Sequence, residues 1–533
     1  MTHVNETANL PSDADALRAL VLSMMAERDA LKSERDALTA ERDALLKRNE
    51  RLHHILLKLN RLQFGRKSER LEQDQLQLGL EDLEQAVAKN EAEAEKRDPG
   101  LREERTVQRR ASRGALPAHL PRVEVTLLPE DTVCPCCRGM MTVIGEDTSE
   151  RLDVVPAQYR VIVTHRPKLT CRACEGTIVQ SPAPPRLIEG GIPTEALVAQ
   201  VAVARYADHQ PLYRQAQMMA RQGVMLDRST LAFWMGYAAA EVAPVVARLR
   251  EMVLASARVF ADETVVPVLD PGRGRTKQGY FWAIARDDRA WGGLDPPAVV
   301  YNYAPGRAHQ HAAALLGNYR GILQCDGYAA YKQLVGRASD NHSVMLAFCW
   351  SHVRRGFYDL AKSKAAPIAT EALSRIAAFY RIETEIRGKT AEHRRAVRQD
   401  ESRPLVRDLR AWFETQIAKL PGRSPTAEAI RYALNHWDGL ERFLEDGRID
   451  LDTNCVERTM RPIALSRKNS LFAGSDEGGE NWAGLASLIE TCKLNGVDPQ
   501  AYFTNLLTRL VNGWPQTRID ELMPWHHPTS QLQ

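Results

Sequence analysis

A five-residue unit, Glu-Arg-Asp-Ala-Leu, occupies residues 27–31 and returns at 34–38 and 41–45. A period of seven leaves one regular structure open: a long α-helix whose leucines form one stripe facing a second helix. The stripe runs on to Leu52 and Leu59 and back to Met24 and Leu17. With these at the d positions, the a positions are Val21, Arg28, Arg35, Arg42, Asn49 and Leu56. Only one seam is apolar in the middle. Residues 13–97 are therefore expected to hold a weak coiled coil whose polar a residues fix register or oligomer state. The alternative is a long solvated helix packed on the rest of the chain.

At 533 residues the chain is too long for one core, and about three to five domains are expected. Its composition, 44% hydrophobic and 26% charged, is that of a globular protein. It has no run of eighteen apolar residues, so no membrane partner is expected. Residues 1–9 lack a basic-then-apolar leader, which predicts a cytoplasmic, nucleoid-associated location. The net charge of +3 is too small to imply a nucleic-acid partner. Its distribution says more. Residues 96–122 carry eight basic and three acidic side chains, so the thinly patterned stretch 98–122 reads as a basic linker suited to a phosphate backbone or simply to solvent.

Nine cysteines in a chain with no leader argue against a disulfide framework. Four of them form two CxxC knuckles, Cys134/Cys137 and Cys171/Cys174, 33 residues apart. Each knuckle can give two thiolates to one tetrahedral Zn²⁺, and strand-like runs at 152–155 and 159–165 suit a zinc ribbon over residues 123–181. Cys136 leaves the choice within the first knuckle open.

A stiff Pro-Ala-Pro-Pro spacer at 182–185 precedes a helical region, 190–255. Within it, residues 212–239 read as helix, turn, helix. Gly223 interrupts the first helix, and Asp227 or Ser229 can cap the second. A DNA-reading version would put Arg228 and Thr230 near a major groove; an ordinary helical hairpin has the same pattern.

The character then changes. Strands are predicted at 259–262, 280–286, 298–303, 322–326 and 345–350, with helices at 309–317 and after the fourth strand. Three meandering strands followed by alternating elements suggest a mixed sheet with helices on its faces, in the order of a ribonuclease-H-like α/β fold. Residues 352–445 are expected to be helical, with breaks near Pro404 and Pro421-Gly422. A helix carrying Glu457 follows, then helices at 480–494 and 499–510 and an irregular end from Pro515.

Asp262 and Asp326 each close a predicted strand. Strand ends project side chains into a crevice at the sheet edge, and phosphodiester cleavage needs carboxylates gathered around hard divalent ions. Glu457, with Arg458 beside it and Arg461 one turn on, is a candidate third acid. Taken singly, each acid has an ordinary reading as a turn, cap or salt-bridge residue, and Glu263, Asp287 and Asp288 are equal carboxylates by type.

Four segments taken together decide between these readings: Ala261-Asp262-Glu263-Thr264, Gln324-Cys325-Asp326-Gly327-Tyr328, Cys349-Trp350-Ser351-His352-Val353-Arg354-Arg355, and Asn454-Cys455-Val456-Glu457-Arg458-Thr459-Met460-Arg461-Pro462. In this order they resemble the transposases of the bacterial insertion-sequence-66 family, within the wider DDE superfamily. The resemblance runs from the leucine repeat to about Leu510. It implies that Asp262, Asp326 and Glu457 are an acidic triad holding Mg²⁺ or Mn²⁺ in a catalytic domain over 256–470. A helical insertion at about 353–445 would interrupt that domain, and C-terminal helices would occupy 471–514. It also implies a zinc segment, DNA partners at element ends and target, and at least a dimer; whether accessory proteins of the same element take part stays open. The reaction it implies is nicking at element ends, then attack of the freed 3′-hydroxyl on target DNA. Cys325 and Thr453 stand where alanine and asparagine are expected. His352, Arg354 and Arg355 are assigned to phosphate contact or to orienting the site, and Arg458, Arg461, Arg467 and Lys468 to DNA. Two other functions stay open: a DNA-binding regulator with silent acids, and a nuclease that cuts without joining.

A ribbon this small depends on its metal to fold. Chelation is expected to open residues 134–174 to limited proteolysis; unchanged protease resistance in the metal-free protein would contradict the zinc assignment.

Overall fold

The computed structural model describes residues 13–64, 94–112, 158–170, 178–270, 275–335, 344–362, 366–470 and 473–528, with the single positions 122, 136 and 138. The four cysteines of the two knuckles and the run 152–155 lie outside the described residues. The chain divides into two compact units, Met1–Pro156 and Ala157–Gln533.

In the first unit the repeat forms one helix of 51 residues, Ala14–Phe64. Each repeat's arginine pairs with the next residue: Arg28 with Asp29, Arg35 with Asp36 and Arg42 with Asp43, at 2.6 to 2.7 Å. Val21, Met24, Leu31 and Leu38 of the predicted seam are exposed along it. The stretch read as a linker contains a second helix, Pro99–Ser112. Asp98 starts it by accepting hydrogen bonds from the backbone N–H of Gly100 and Leu101, and its Leu, Arg, Glu and Gln residues are good helix formers. Arg109 anchors it through a two-pronged contact with Glu95.

The second unit opens with a short antiparallel hairpin, β1 (Lys168–Thr170) and β2 (Ile178–Gln180). Thr170 pairs with Ile178. The expected strand at 159–165 is not part of any sheet among the described residues, and Val161, Ile162 and Val163 are exposed. Among the described residues nothing pairs with it, and β-propensity without a partner makes no ladder.

A five-stranded mixed sheet follows: β3 (Arg258–Asp270), β4 (Arg275–Arg286), β5 (Ala298–Ala304), β6 (Ile322–Cys325) and β7 (Met345–Phe348). Their order across the sheet is β5-β4-β3-β6-β7. The first three strands are antiparallel, and β6 and β7 run parallel to β3. All five predicted strands are present in the predicted sequence order. One expectation is corrected. Asp262 does not end a strand: β3 continues eight residues past it, paired with β4 all the way to Asp270 (270 − 262). Parallel pairing with β6, however, stops at Phe260. Beyond that point β3 is an edge, where Pro267 costs no ladder hydrogen bond and its carbonyl accepts from the backbone N–H of Ala473.

Helices cover the sheet. Arg228–Leu254 buries Leu231, Trp234, Val242, Val245 and Leu249 in the common core. It is long and apolar enough to cross a membrane by length and composition alone; here that apolar stripe is core. Asp476–Leu494 packs along β5, the edge strand. Its Thr491 and Ser487 hydroxyls accept from the backbone N–H of Val299 and Tyr301, so groups that would stay unpaired at an edge are satisfied by side chains. The chain's end is not irregular. Turns of 3₁₀ helix at Gln516–Leu522 and Pro524–His526 seat Leu522 and Met523 in the same core.

The segment between β7 and Glu457 has its own core of Trp350, Phe357, Phe379, Phe413, Trp437 and Phe443, among others. No break occurs at Pro404. It lies in the first turn of Arg403–Ile417, and a π-helical turn before it, in which Arg403 N–H reaches the Arg398 carbonyl, absorbs the missing donor. The break at Pro421-Gly422 is present.

A buried ionic clamp joins this helical core to the sheet. Arg258, 1% exposed at the start of β3, donates to Asp450 at 2.9 Å, Gln324 at 3.2 Å and Asp288 at 3.2 Å. Arg394 reaches the other Asp450 oxygen at 2.9 Å. Gln324 of β6 exchanges two hydrogen bonds with the Asp450 backbone, 2.8 Å each. Burial alone would raise the Asp450 carboxyl; Arg258 and Arg394 hold it below its usual range instead. Removing one partner of such a buried set leaves uncompensated charge. Asp450→Ala is expected to destabilise the second unit by about 3 kcal/mol, read as a lower urea midpoint; an unchanged midpoint would contradict the clamp.

Candidate active site

Parallel register brings the two aspartates together. Phe260 of β3 pairs with Gln324 of β6, so Asp262 and Asp326, each two residues further, leave the paired region side by side. After Asp326 the chain turns through Gly327 at φ +87°, where a Cβ would lie 2.6 Å from the His436 ring; only glycine meets both conditions. The Asp326 carboxylate accepts from the backbone N–H of Tyr328 at 2.8 Å, and the Tyr432 hydroxyl donates to the Asp326 carbonyl at 2.8 Å. Asp262 accepts from the N–H of Glu263 at 2.9 Å.

Glu457 arrives from the other side of the helical insertion, in the first turn of Asn454–Ser470. That helix start is docked on the end of β7 by two contacts. The N–H of Trp350 donates to the Leu451 carbonyl at 2.9 Å, and the N–H of Thr453 to Cys349 Sγ at 3.3 Å. The Thr453 hydroxyl donates to Glu457 Oε1 at 3.0 Å, and His352 Nδ1 stands 3.8 Å from the same oxygen. Among the described residues, the tight group of metal-ligating atoms here is Cys349, His352 and Glu457, all within 4.8 Å of one another; the two aspartates are not part of it.

The carboxyls nevertheless share one field. Burial, then the charges of Glu263, Glu457 and Asp326, push the Asp262 carboxyl up to about 8, against one opposing backbone hydrogen bond. A carboxyl raised by burial and then by neighbouring carboxylates belongs to a donor set that a hard divalent cation fits, because the cation offsets both the lost solvation and the repulsion. Asp452, which sequence reading passed over, is also near: burial and the charges of Asp450 and Glu457 raise it to about 6, and it accepts from the N–H and amide of Asn454. Nothing in its local pattern distinguishes it from a turn aspartate. Glu263 is otherwise engaged, in contact with Arg307 at 2.6 Å and the Tyr331 hydroxyl at 2.7 Å, while Arg307 stacks 3.8 Å over Tyr328. Arg307, Tyr331 and Tyr432 carry no sequence signal of their own. Asp287 and Asp288 serve Arg289 and Arg258 instead.

The predicted DNA contacts are distributed as follows. Arg458, Arg461 and Lys468 are exposed on the helix of Glu457, whereas Arg467 is half-buried and donates to the Val265 carbonyl. Arg355 is exposed and Arg354 half-buried on Trp350–Ala361, the helix of His352. Leu212–Ala220, a turn with Gly223 at φ +81°, and Arg228–Leu254 form the expected helix pair. Asp227 is the N-cap residue of the second helix, with Arg228 exposed and Thr230 half-buried in its first turn.

The chain is similar to known proteins over most of its length. A family model described as "Transposase IS66 family" matches residues 190–481, and "IS66 C-terminal element" matches 487–525. "Zinc-finger binding domain of transposase IS66" matches 131–175, the span of the CxxC knuckles, and "Transposase C of IS166 homeodomain" matches 51–125. The uncharacterized protein y4qI of Sinorhizobium fredii is 44% identical over 97% of this chain and 98% of its own length. The uncharacterized proteins y4jD and y4hP of the same organism are 44% and 37% identical, covering 89% and 88% of this chain and 94% and 87% of their own.

The raised Asp262 carboxyl has a stability consequence. The folded protein keeps a proton up to about pH 8 that the unfolded chain loses near its ordinary value of 3.8. Stability from this group is therefore full below about pH 4 and falls as pH rises toward 8. Without divalent ions, Asp262→Asn is expected to melt higher than the native protein at pH 8, and Mg²⁺ to raise the native melting temperature but not the variant's. A variant that melts lower at pH 8 would contradict the electrostatic account.

Proposed function

The chain belongs to the IS66 transposase family, and on that premise we propose that it cuts the ends of an insertion sequence and joins them to target DNA through Asp262, Asp326 and Glu457. As a member of that family it is a nucleic-acid-processing enzyme with DNA as partner, and the family implies a divalent metal and zinc. The observation that carries the finer reading is the parallel register of β3 and β6, which leaves Asp262 and Asp326 side by side; burial and the charges of Glu263, Glu457 and Asp326, which raise the Asp262 carboxyl, support it. The sheet order β5-β4-β3-β6-β7 supports a ribonuclease-H-like catalytic core.

In this reading Asp262 and Asp326, from the sheet, and Glu457, from the helix, would hold the cation. Bound Mg²⁺ or Mn²⁺ would supply charge neutralisation at the phosphate and a more acidic nucleophile. In the first step a water oxygen attacks phosphorus at the element end and the bond to the 3′-oxygen breaks, leaving a 3′-hydroxyl. In the second that hydroxyl attacks a target phosphorus and the target's own 3′-oxygen leaves. Arg354, Arg355, Arg458, Arg461 and Lys468, on the helices of His352 and Glu457, would take the phosphates flanking the scissile bond. Arg228 and Thr230 would read DNA from the helix pair. Cys134, Cys137, Cys171 and Cys174 would hold zinc. The exposed seam of Ala14–Phe64 would pair with a second copy, which brings two active sites to two ends.

With supercoiled plasmid carrying the element ends and Mg²⁺, nicking is expected from the native protein. Background levels are expected from Asp262→Asn and Glu457→Gln, with end binding retained in both. Glu457→Gln cutting at the native rate would remove Glu457 from the triad. Nicks without joined products would favour a nuclease, and end binding with no nicking by the native protein a regulator.

A further inference from the structure

The aspartates meet through strand register, but Glu457 does not point its Oε1 into their company. It stands with Cys349 and His352. Cys349 is the N-cap residue of the helix Trp350–Ala361, and His352 follows three positions later, so both project from the same turn. The first turn of Asn454–Ser470 faces them with Glu457. All three donors are thus fixed on helix starts rather than on loops.

Two observations distinguish this group from ordinary packing. His352 Nδ1 is buried and has no hydrogen-bond partner, although its side chain is 31% exposed overall; an unsatisfied buried nitrogen is uncommon and calls for a partner. Its distance to Glu457 Oε1, 3.8 Å, exceeds a hydrogen bond. It approaches the edge of a tetrahedron around a zinc ion, about 3.4 Å for bonds near 2.05 Å. Thr453 supports the set from behind, with its N–H on Cys349 Sγ and its hydroxyl on Glu457 Oε1. Metal sites are commonly held in orientation by such outer contacts.

We propose that Cys349, His352 and Glu457 form a site for a thiophilic divalent cation of the zinc class, separate from the zinc knuckles. Three protein donors, one sulfur, one nitrogen and one oxygen, leave a fourth position open to water, and thiolate with imidazole prefers zinc over magnesium. Filling the site draws Glu457 away from Asp262 and Asp326 and so acts as a brake on the phosphoryl-transfer site. The brake rests on the reading of Glu457 as the third acid; the binding site does not.

Cobalt(II) is the probe. The full-length chain is first given one equivalent of zinc, which the four-thiolate knuckles take in preference to a site with one thiolate, and is then titrated with Co²⁺. One further equivalent is expected, with a sulfur-to-cobalt charge-transfer band and visible bands of tetrahedral intensity. Cys349→Ser should lose the charge-transfer band. His352→Gln, which keeps the thiol, should weaken Co²⁺ binding at least about tenfold. Identical spectra from the native chain and Cys349→Ser, or a His352→Gln affinity equal to native, would overturn the site. In the nicking assay, added zinc should slow the native protein at fixed Mg²⁺, and the ratio of rates with and without zinc should return toward one in Cys349→Ser. Zinc without effect on nicking, beside a positive cobalt titration, would overturn the brake. A positive cobalt titration on a chain that never nicks would leave the site standing and remove the transposition mechanism instead.

Discussion

Arg258 and Asp450 meet at 2.9 Å in the interior, and much of the second unit is arranged around that contact. Arg258 opens β3, the strand that carries Asp262, and Asp450 precedes the helix that carries Glu457 by a few residues. Between them the chain has made the whole excursion through the aromatic core of Trp350, Phe379, Phe413 and Trp437. A glutamate so distant in sequence can act with two strand residues only if the excursion returns to a fixed place. Asp450 supplies that by binding Arg258, Gln324 and Arg394 at once. Buried ion pairs add little net stability when whole. Their use here is positional, since few other arrangements satisfy two guanidinium groups on one carboxylate and an amide on the same residue's backbone.

The same region holds charge that the fold does not neutralise. Asp262, Glu263, Asp326, Asp452 and Glu457 crowd one end of the sheet, and Arg307 pairs with Glu263 there. Burial adds to the repulsion, which is why the Asp262 carboxyl is raised while Asp450, a short way along the chain, is lowered. The two aspartates of the Asp450–Asp452 stretch therefore have opposite duties. One is consumed by the architecture, and the other is left beside the site, raised by burial and by Asp450 and Glu457, with Arg458 opposing.

The strands and their order were legible because each is a short apolar run bounded by turn residues, and sheet pairing then follows from few alternatives. The true length of β3 was not legible. Pro267 reads locally as a terminator, and only the early end of β6 makes it an acceptable edge residue. The place of Asp326 at the end of an apolar strand was legible, whereas Glu457 entered through the resemblance, since one glutamate on a polar helix face carries no mark of its tertiary neighbours. The clamp was invisible for the same reason: Arg258, Gln324, Arg394 and Asp450 are far apart in sequence and unremarkable singly. Continuity across Pro404 depended on a π-helical turn that no local pattern announces.

The central claim is that Asp262, Asp326 and Glu457 serve one divalent cation. Iron-directed cleavage of the polypeptide tests it most directly: Fe²⁺ replaces Mg²⁺, and ascorbate with peroxide then cuts the backbone next to the bound ion. The account predicts cuts close to residues 262, 326 and 457 in the same protein, all suppressed together by excess Mg²⁺. Cuts near 262 and 326 that leave 457 untouched, or cuts that Mg²⁺ does not suppress, would contradict it.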